Sequence, residues 1–138
     1  MRTGFGNTLA DMSDALAAVE TACAGWQVPR PLALRTVLLL EELAGNAIRH
    51  GYPDGRRGHL ALHLAWDGSA MQCELRDDGD AFDPLAAPPP DRSLPATERP
   101  PGGFGLGLVR RLAADLAYRR DAGGNRIRFT VPRRPDER

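Results

Sequence analysis

Apolar residues near the start of the chain return every third or fourth position: Leu9, Met12, Leu16, Val19, then Ala22 or Cys23. That spacing predicts an amphipathic helix over "LADMSDALAAVETACAGW", residues 9–26. "QVPRP" ends it, because two prolines cannot sit inside a continuing helix. A second helix is expected from about Leu32 to His50, with Val37, Leu40, Ala44, Ala47 and Ile48 on one face and Gly51 and Pro53 stopping it. The period then changes to two. "HLALHLAW" (59–66) and "MQCELRD" (71–77) alternate as paired strands across "DGS", and residues 3–8 suit a short edge strand. From Asp83 to Gly103 the pattern dissolves into prolines, too long for an ordinary connection and therefore functional or mobile. "LGLVRRLAADLA" (106–117) restores a helical period with Leu108, Leu112, Ala113 and Leu116 as its buried stripe. "AYRRD" and "NRIRFTVP" read as two closing strands around the turn "AGG", and no internal repeat is visible. The order β-α-α-β-β-loop-α-β-β predicts an α+β fold, with helices packed on one face of a mixed, mostly antiparallel sheet.

Composition narrows the chemistry more than the architecture. A chain of 138 residues suits one domain with a core that needs no disulfide or metal. Acidic and basic residues balance at 18 each, so net charge points to neither nucleic acid nor an anionic membrane. Every basic residue is arginine. A Walker A lysine, a lysine Schiff base and a Ser-Lys dyad are therefore excluded. Cys23 and Cys73 lie far apart, outside any metal-like spacing, and read as small buried residues of a reducing compartment. No signal segment is evident, and the apolar runs fall well short of the roughly 20 residues that span a bilayer. A soluble cytoplasmic domain is the expectation.

Three short stretches carry candidate chemistry. In "EELAGNAIRHG", Glu42 and Asn46 share a helix face, which Arg49 and His50 continue one turn on. A solvated face accounts for any one of them. Asparagine, however, is a mediocre helix former, and beside a glutamate it suits a hard cation plus a base. In "RDDGDAFDP", an ordinary acidic turn competes with a binding role. Asp77 at a strand end could accept a hydrogen bond from an exocyclic amine, and Gly79 would let a ring approach the backbone. In "GGFGLGLV", Gly103, Gly105 and Gly107 precede a helix, so they are either a flexible linker or a phosphate cradle of free amides. No strand directly precedes them, which removes the dinucleotide fingerprint. His59 and His63 share a strand face without an evident third ligand, and Trp26 and Trp66 suit the core or its edge.

A helix that can ligate metal, an amine-accepting aspartate and an anion cradle are together the parts of a magnesium–ATP site. In order and spacing, "EELAGNAIRHGY", "RDDGDAFDP" and "GGFGLGLVRRLAAD" resemble the N box and two glycine boxes of the GHKL ATPase superfamily, which includes gyrase, MutL and histidine kinases. The likeness runs from about residue 9 to 133. "NAIRHGYP" and the sequence Phe82, Asp83, Pro84 are similar to the stand-alone branch of RsbW/SpoIIAB-type anti-sigma factors, which are serine kinases. The resemblance implies a two-layer α+β sandwich, the Bergerat fold. It implies Glu42 as general base, Asn46 as magnesium ligand, and Asp77 as acceptor of the adenine amino group, with Gly79 giving the ring room and Phe82 beside it. Gly103, Gly105, Leu106 and Gly107 would wrap the phosphates. Arg49 and His50 would support the phosphate-side wall, and residues 84–102 would form an ATP lid with Arg99 as its candidate cation. The cofactors implied are ATP and Mg2+. The partners implied are a STAS-type anti-anti-sigma protein bearing the acceptor serine, a sigma factor, and a second copy of the chain, with neither nucleic acid nor membrane. Two departures stand out: Ala81 replaces a frequent second glycine, and Asn125 replaces a frequent threonine. A catalytically weak, nucleotide-dependent binding module is the alternative. A detached histidine-kinase ATP domain is a third reading, disfavoured by the short chain and the "NAIRHGY" wording.

Overall fold

The structure, a computed structural model, describes residues 1–86 and 103–137, with side chains outside 103–106. Strand β1 (Arg2–Gly6) leads into helices α1 (Leu9–Gly25) and α2 (Arg30–Gly51). Strands β2 (His59–Trp66) and β3 (Ala70–Asp77) follow, then helix α3 (Gly103–Leu112) and strands β4 (Ala114–Asp121) and β5 (Gly124–Pro132). The sheet order is β1-β2-β3-β5-β4 and every pairing in it is antiparallel, so the expected mixed sheet is an antiparallel one.

Local chemistry sets the helix ends. The Thr8 hydroxyl accepts from the Asp11 amide at 3.0 Å and caps α1. Trp26 lies just past the helix as its C-cap. Pro31 falls in the first turn of α2, where its missing N–H costs nothing, so the helix begins two residues before Leu32. Its buried face is Leu32, Thr36, Leu39, Leu40, Leu43, Ala44 and Ala47, with Val37 and Ile48 only partly covered at its margins.

Period-2 alternation gives the sheet two unlike faces. Leu60, Leu62, Leu64, Met71, Cys73, Leu75, Ile127, Phe129 and Val131 point toward the helices and form the core with α2, which lies against β3 and β5. Both cysteines are buried and unpaired. The opposite face carries Glu74, which accepts from Arg128 at 2.8 Å and also pairs with Arg76. Helix α3 departs from expectation. It ends at Leu112 rather than 117, because Ala114–Ala117 pair with β5 through a bulge and Asp115 adopts a φ of 52°. Sheet pairing overrides the helical propensity of "AADLA". Among the described side chains of α3, Val109, 1% exposed, is seated in the core, whereas Leu108, Leu112, Ala113 and Leu116 are only partly buried.

Beyond β5 the chain turns back onto α2. Both Glu137 oxygens accept from the Arg35 guanidinium, one of them at 3.0 Å, and Arg133 Nε donates to the Glu137 carbonyl at 2.6 Å. The Arg35 hydrogen bonds hold the Glu137 carboxyl below its ordinary value near 4.5. A carboxyl lowered in the folded state stabilises above its unfolded value and loses that contribution as pH falls through the folded one. Glu137→Gln is therefore expected to lower the urea midpoint at pH 7, with the gap to wild type closing below about pH 4.5. Denaturation at both pH values checks this, and an equal gap at pH 7 and pH 3.5 would refute the latch.

Candidate functional site

Strand β3 ends on Asp77, which is 8% exposed. Its Oδ1 accepts from the Gly79 amide at 2.9 Å and from Asn125 Nδ2 at 2.8 Å. Burial raises the carboxyl's pKa, and those two donors oppose the rise. Asn125, 6% exposed, stands directly opposite Asp77 in the β3–β5 register. Its amide also donates to the Asp80 carbonyl at 2.8 Å, and its Oδ1 accepts from the Tyr118 hydroxyl. Both amide hydrogens and the oxygen are thus engaged, which fixes the orientation of the amide.

The turn after Asp77 presses against the end of α2. A Cβ at Gly79 would lie 2.8 Å from Gly51 Cα, so glycine is required for the helix and turn to meet. The Asp80 amide donates to the Gly51 carbonyl at 2.7 Å, and Arg120 Nη1 donates to the Gly79 carbonyl at 2.6 Å. Asp78 accepts from the Tyr52 hydroxyl at 2.7 Å and the His59 amide at 2.8 Å. Burial first, then the Asp78 carboxylate, pushes the Tyr52 hydroxyl far above its ordinary range.

Asp77, Asn46, Asn125, Phe82, Pro84 and Tyr118 line one cavity with Leu43, Ala47 and Ile127 at its apolar floor. It holds about 20 Å³ of open space, enough for a single water. His50 stacks on Phe82 at 4.4 Å with the rings 19° apart and backs the aromatic wall of that cavity.

On α2, Asn46 is 2% exposed, deeper than a solvated stripe allows. Its Nδ2 lies 3.4 Å from Glu42 Oε1, and its Oδ1 accepts from Arg49 Nη2 at 2.5 Å. Glu42 does not line the Asp77 cavity. It opens onto an outer groove with Leu9, Ser13, Leu38, Gly45 and Arg49. The two residues are bonded neighbours facing different surfaces. Gly103, Gly105, Leu106 and Gly107 lie inside the first turns of α3 rather than ahead of it, so the free amides of the helix start belong to this segment. Residues 87–102, with Arg99, lie outside those described. The start of the expected lid is tied down where Arg110 Nη2 donates to the Leu85 carbonyl at 2.7 Å.

Asn125, Tyr118 and Arg120 are the site residues that motif spacing does not reveal. Only the pairing of β3 with β5 brings them to Asp77. Asn125→Ala is expected to cost about 2–3 kcal/mol of stability through unpaired buried partners. It should also raise the Asp77 pKa further, since one of the two donors to Oδ1 is lost. Carboxyl NMR titration reads the second effect, and an unmoved Asp77 would sink the assignment.

With this geometry in view, the comparisons with known proteins agree on one family. The family model described as "Histidine kinase-like ATPase domain" matches residues 5–131. A curated relative, the serine/threonine-protein kinase BtrW of Bordetella bronchiseptica, is 32% identical over 101 residues, 72% of this chain and 70% of that protein. Among solved structures, the RsbU and RsbW domains of Rv1364c from Mycobacterium tuberculosis superpose with a TM-score of 0.64 at 18% identity, over 96% of this chain. The Erythrobacter litoralis EL346 blue-light activated histidine kinase superposes with a TM-score of 0.52 at 24% identity, over 76% of this chain. This chain spans about a third of each of those two, 32% and 31%, so they speak to the fold. Fold, relative and family model converge: the chain belongs to the histidine kinase-like ATPase domain family.

Proposed function

We propose that the protein is an ATP-dependent serine/threonine-protein kinase and anti-sigma regulatory factor, which phosphorylates a serine of a STAS-type anti-anti-sigma partner in the cytoplasm. The observation that carries this reading is the arrangement of α2. Asn46 faces the Asp77 cavity while Glu42, bonded to it, faces the outer groove. A base so placed stands between a bound nucleotide and a hydroxyl arriving from outside. The kinase named among the relatives supports the same direction. No helix of the described residues is long and apolar enough to cross a membrane.

In this reading Asp77 accepts the adenine amino group through Oδ2, since Oδ1 is occupied by Gly79 and Asn125. The first-turn amides of α3 face the phosphates. The serine oxygen forms its bond to the γ-phosphorus as the bond to the β,γ-bridging oxygen breaks. The hydroxyl proton passes to Glu42, and ADP leaves. Asn46 fits magnesium: its buried oxygen already accepts a cationic group, and a carboxylate lies beside it. No group of three or more His, Cys, Asp or Glu is placed to hold a metal among the described residues. One amide oxygen suffices, because magnesium on a nucleotide draws its other ligands from phosphates and water. Bound there, the ion would neutralise the charge on the phosphates.

The tight cavity favours a second reading, a binding module with little turnover whose output is nucleotide-dependent association. Calorimetry with ATP and magnesium, followed by transfer of labelled phosphate to a serine-bearing partner, separates the two. Asp77→Asn is expected to abolish ATP binding. Glu42→Gln should keep binding while slowing transfer by about 100-fold or more, the usual weight of a general base. Wild type that binds ATP but transfers no phosphate would leave the module reading, and phosphohistidine in the product would overturn the serine assignment.

A further inference from the structure

Between the two α2 residues assigned to the chemistry lies a third that closes the metal position from within. Arg49 folds back along the helix. Its Nη2 sits 2.5 Å from Asn46 Oδ1, and the same nitrogen lies 4.0 Å from Glu42 Oε1. The amide oxygen is the protein donor a magnesium ion would use here, and the guanidinium occupies it while lying at ion-pair distance from the carboxylate. A magnesium ion about 2.1 Å from that oxygen would stand close to the guanidinium and be repelled by its charge.

The helix is built to permit this fold-back. Gly45 lies mid-helix, where glycine costs about 1 kcal/mol relative to alanine. A Cβ there would meet Arg49 Nη1 at 3.2 Å, so the missing methyl is the space the guanidinium lies over. The Arg49 side chain is 37% exposed and faces the outer groove. A side chain exposed to that extent can swing away. Asn46 is 2% exposed, and Arg49 supplies its amide oxygen with a donor when no ion takes that place.

We propose that Arg49 is an internal cation masking the metal-ligating oxygen of Asn46, so that a divalent ion binds only by displacing its guanidinium. This rests on the nucleotide-site reading above. It makes the magnesium dependence of nucleotide binding a property of Arg49 and Gly45 rather than of Asn46 alone. Arg49 is a positioning residue in this role, setting when the metal ligand becomes available.

The test is calorimetric titration of the full chain with ADP, first in EDTA and then across a magnesium series, for wild type, Arg49→Met and Gly45→Ala. Arg49→Met removes the guanidinium and keeps the stem. Gly45→Ala keeps the charge but crowds the guanidinium, which must shift slightly to clear the new Cβ, and alanine suits a mid-helix position. The readout is the magnesium midpoint of ADP binding, which is independent of any change in affinity measured in EDTA. Arg49→Met is expected to lower that midpoint by about fivefold, the weight of one charge-assisted hydrogen bond the ion no longer breaks, and Gly45→Ala to lower it in the same direction by less. Equal midpoints in all three proteins would overturn the mask and leave the nucleotide site standing. ADP binding that never responds to magnesium would overturn it too. Failure of wild type to bind ADP at any magnesium concentration would remove both readings.

Discussion

The carboxylate of Asp77 is held at the end of β3 by two donors, the Gly79 amide at 2.9 Å and Asn125 Nδ2 at 2.8 Å. An ionised carboxyl at that depth costs several kcal/mol unless donors meet it, and each donor must itself be positioned. Asn125 is positioned because β5 pairs with β3 in a register that sets it opposite Asp77, and because Tyr118 and Asp80 take up its remaining capacity. Gly79 is positioned because the turn lies flat against Gly51. The sheet order, the helix end and the turn therefore all converge on one oxygen. Its neighbour, Oδ2, has neither of these donors.

That convergence couples elements far apart in sequence. The end of α2 touches the turn through Gly51 and Tyr52, the latter donating to Asp78, whose carboxylate also takes the His59 amide at the start of β2. Arg56 adds a second tie, bridging Asp54 and Asp80 and lying 5.2 Å over the Tyr52 ring. These exposed ion pairs are individually weak. Their effect is geometric: they hold the C-terminal turn of α2 and the Asp77 turn as one body. Asn46 and Asp77 thus face a common cavity from different elements with little freedom between them.

Much of this was legible in the chain before any coordinates. Period-2 alternation located β2 and β3 nearly to the residue, because one face of each strand is apolar core and the other is not. The pairing of Glu42 with Asn46 followed from helical spacing alone. What spacing could not reveal was depth: a stripe of polar residues on α2 looks solvated, yet Asn46 is sealed under Arg49 at 2% exposure. Alanine-rich "AADLA" misled for a related reason. Its intrinsic preference is helical, but β5 presents an unpaired edge there, and the ladder decides. Asn125 was visible only as a departure from a family pattern. Its role depends on the β3–β5 neighbourship, a non-local fact that no local window carries.

Helix α2 is where these constraints meet a chemical demand. A helix that filled the core alone would place leucine or alanine at 42 and 46, and it would not carry glycine at 45. The stretch from Glu42 to Arg49 instead gives up helix propensity and buries an amide to present two different oxygens to two different surfaces. The apolar face that starts at Leu32 and runs through Leu43 to Ala47 makes this affordable, because it anchors the helix against β3 and β5 independently of the polar turn. Stability and chemistry are segregated by face along one element. Changes at Leu39, Leu40 or Leu43 therefore act on the fold and reach the polar turn only through it.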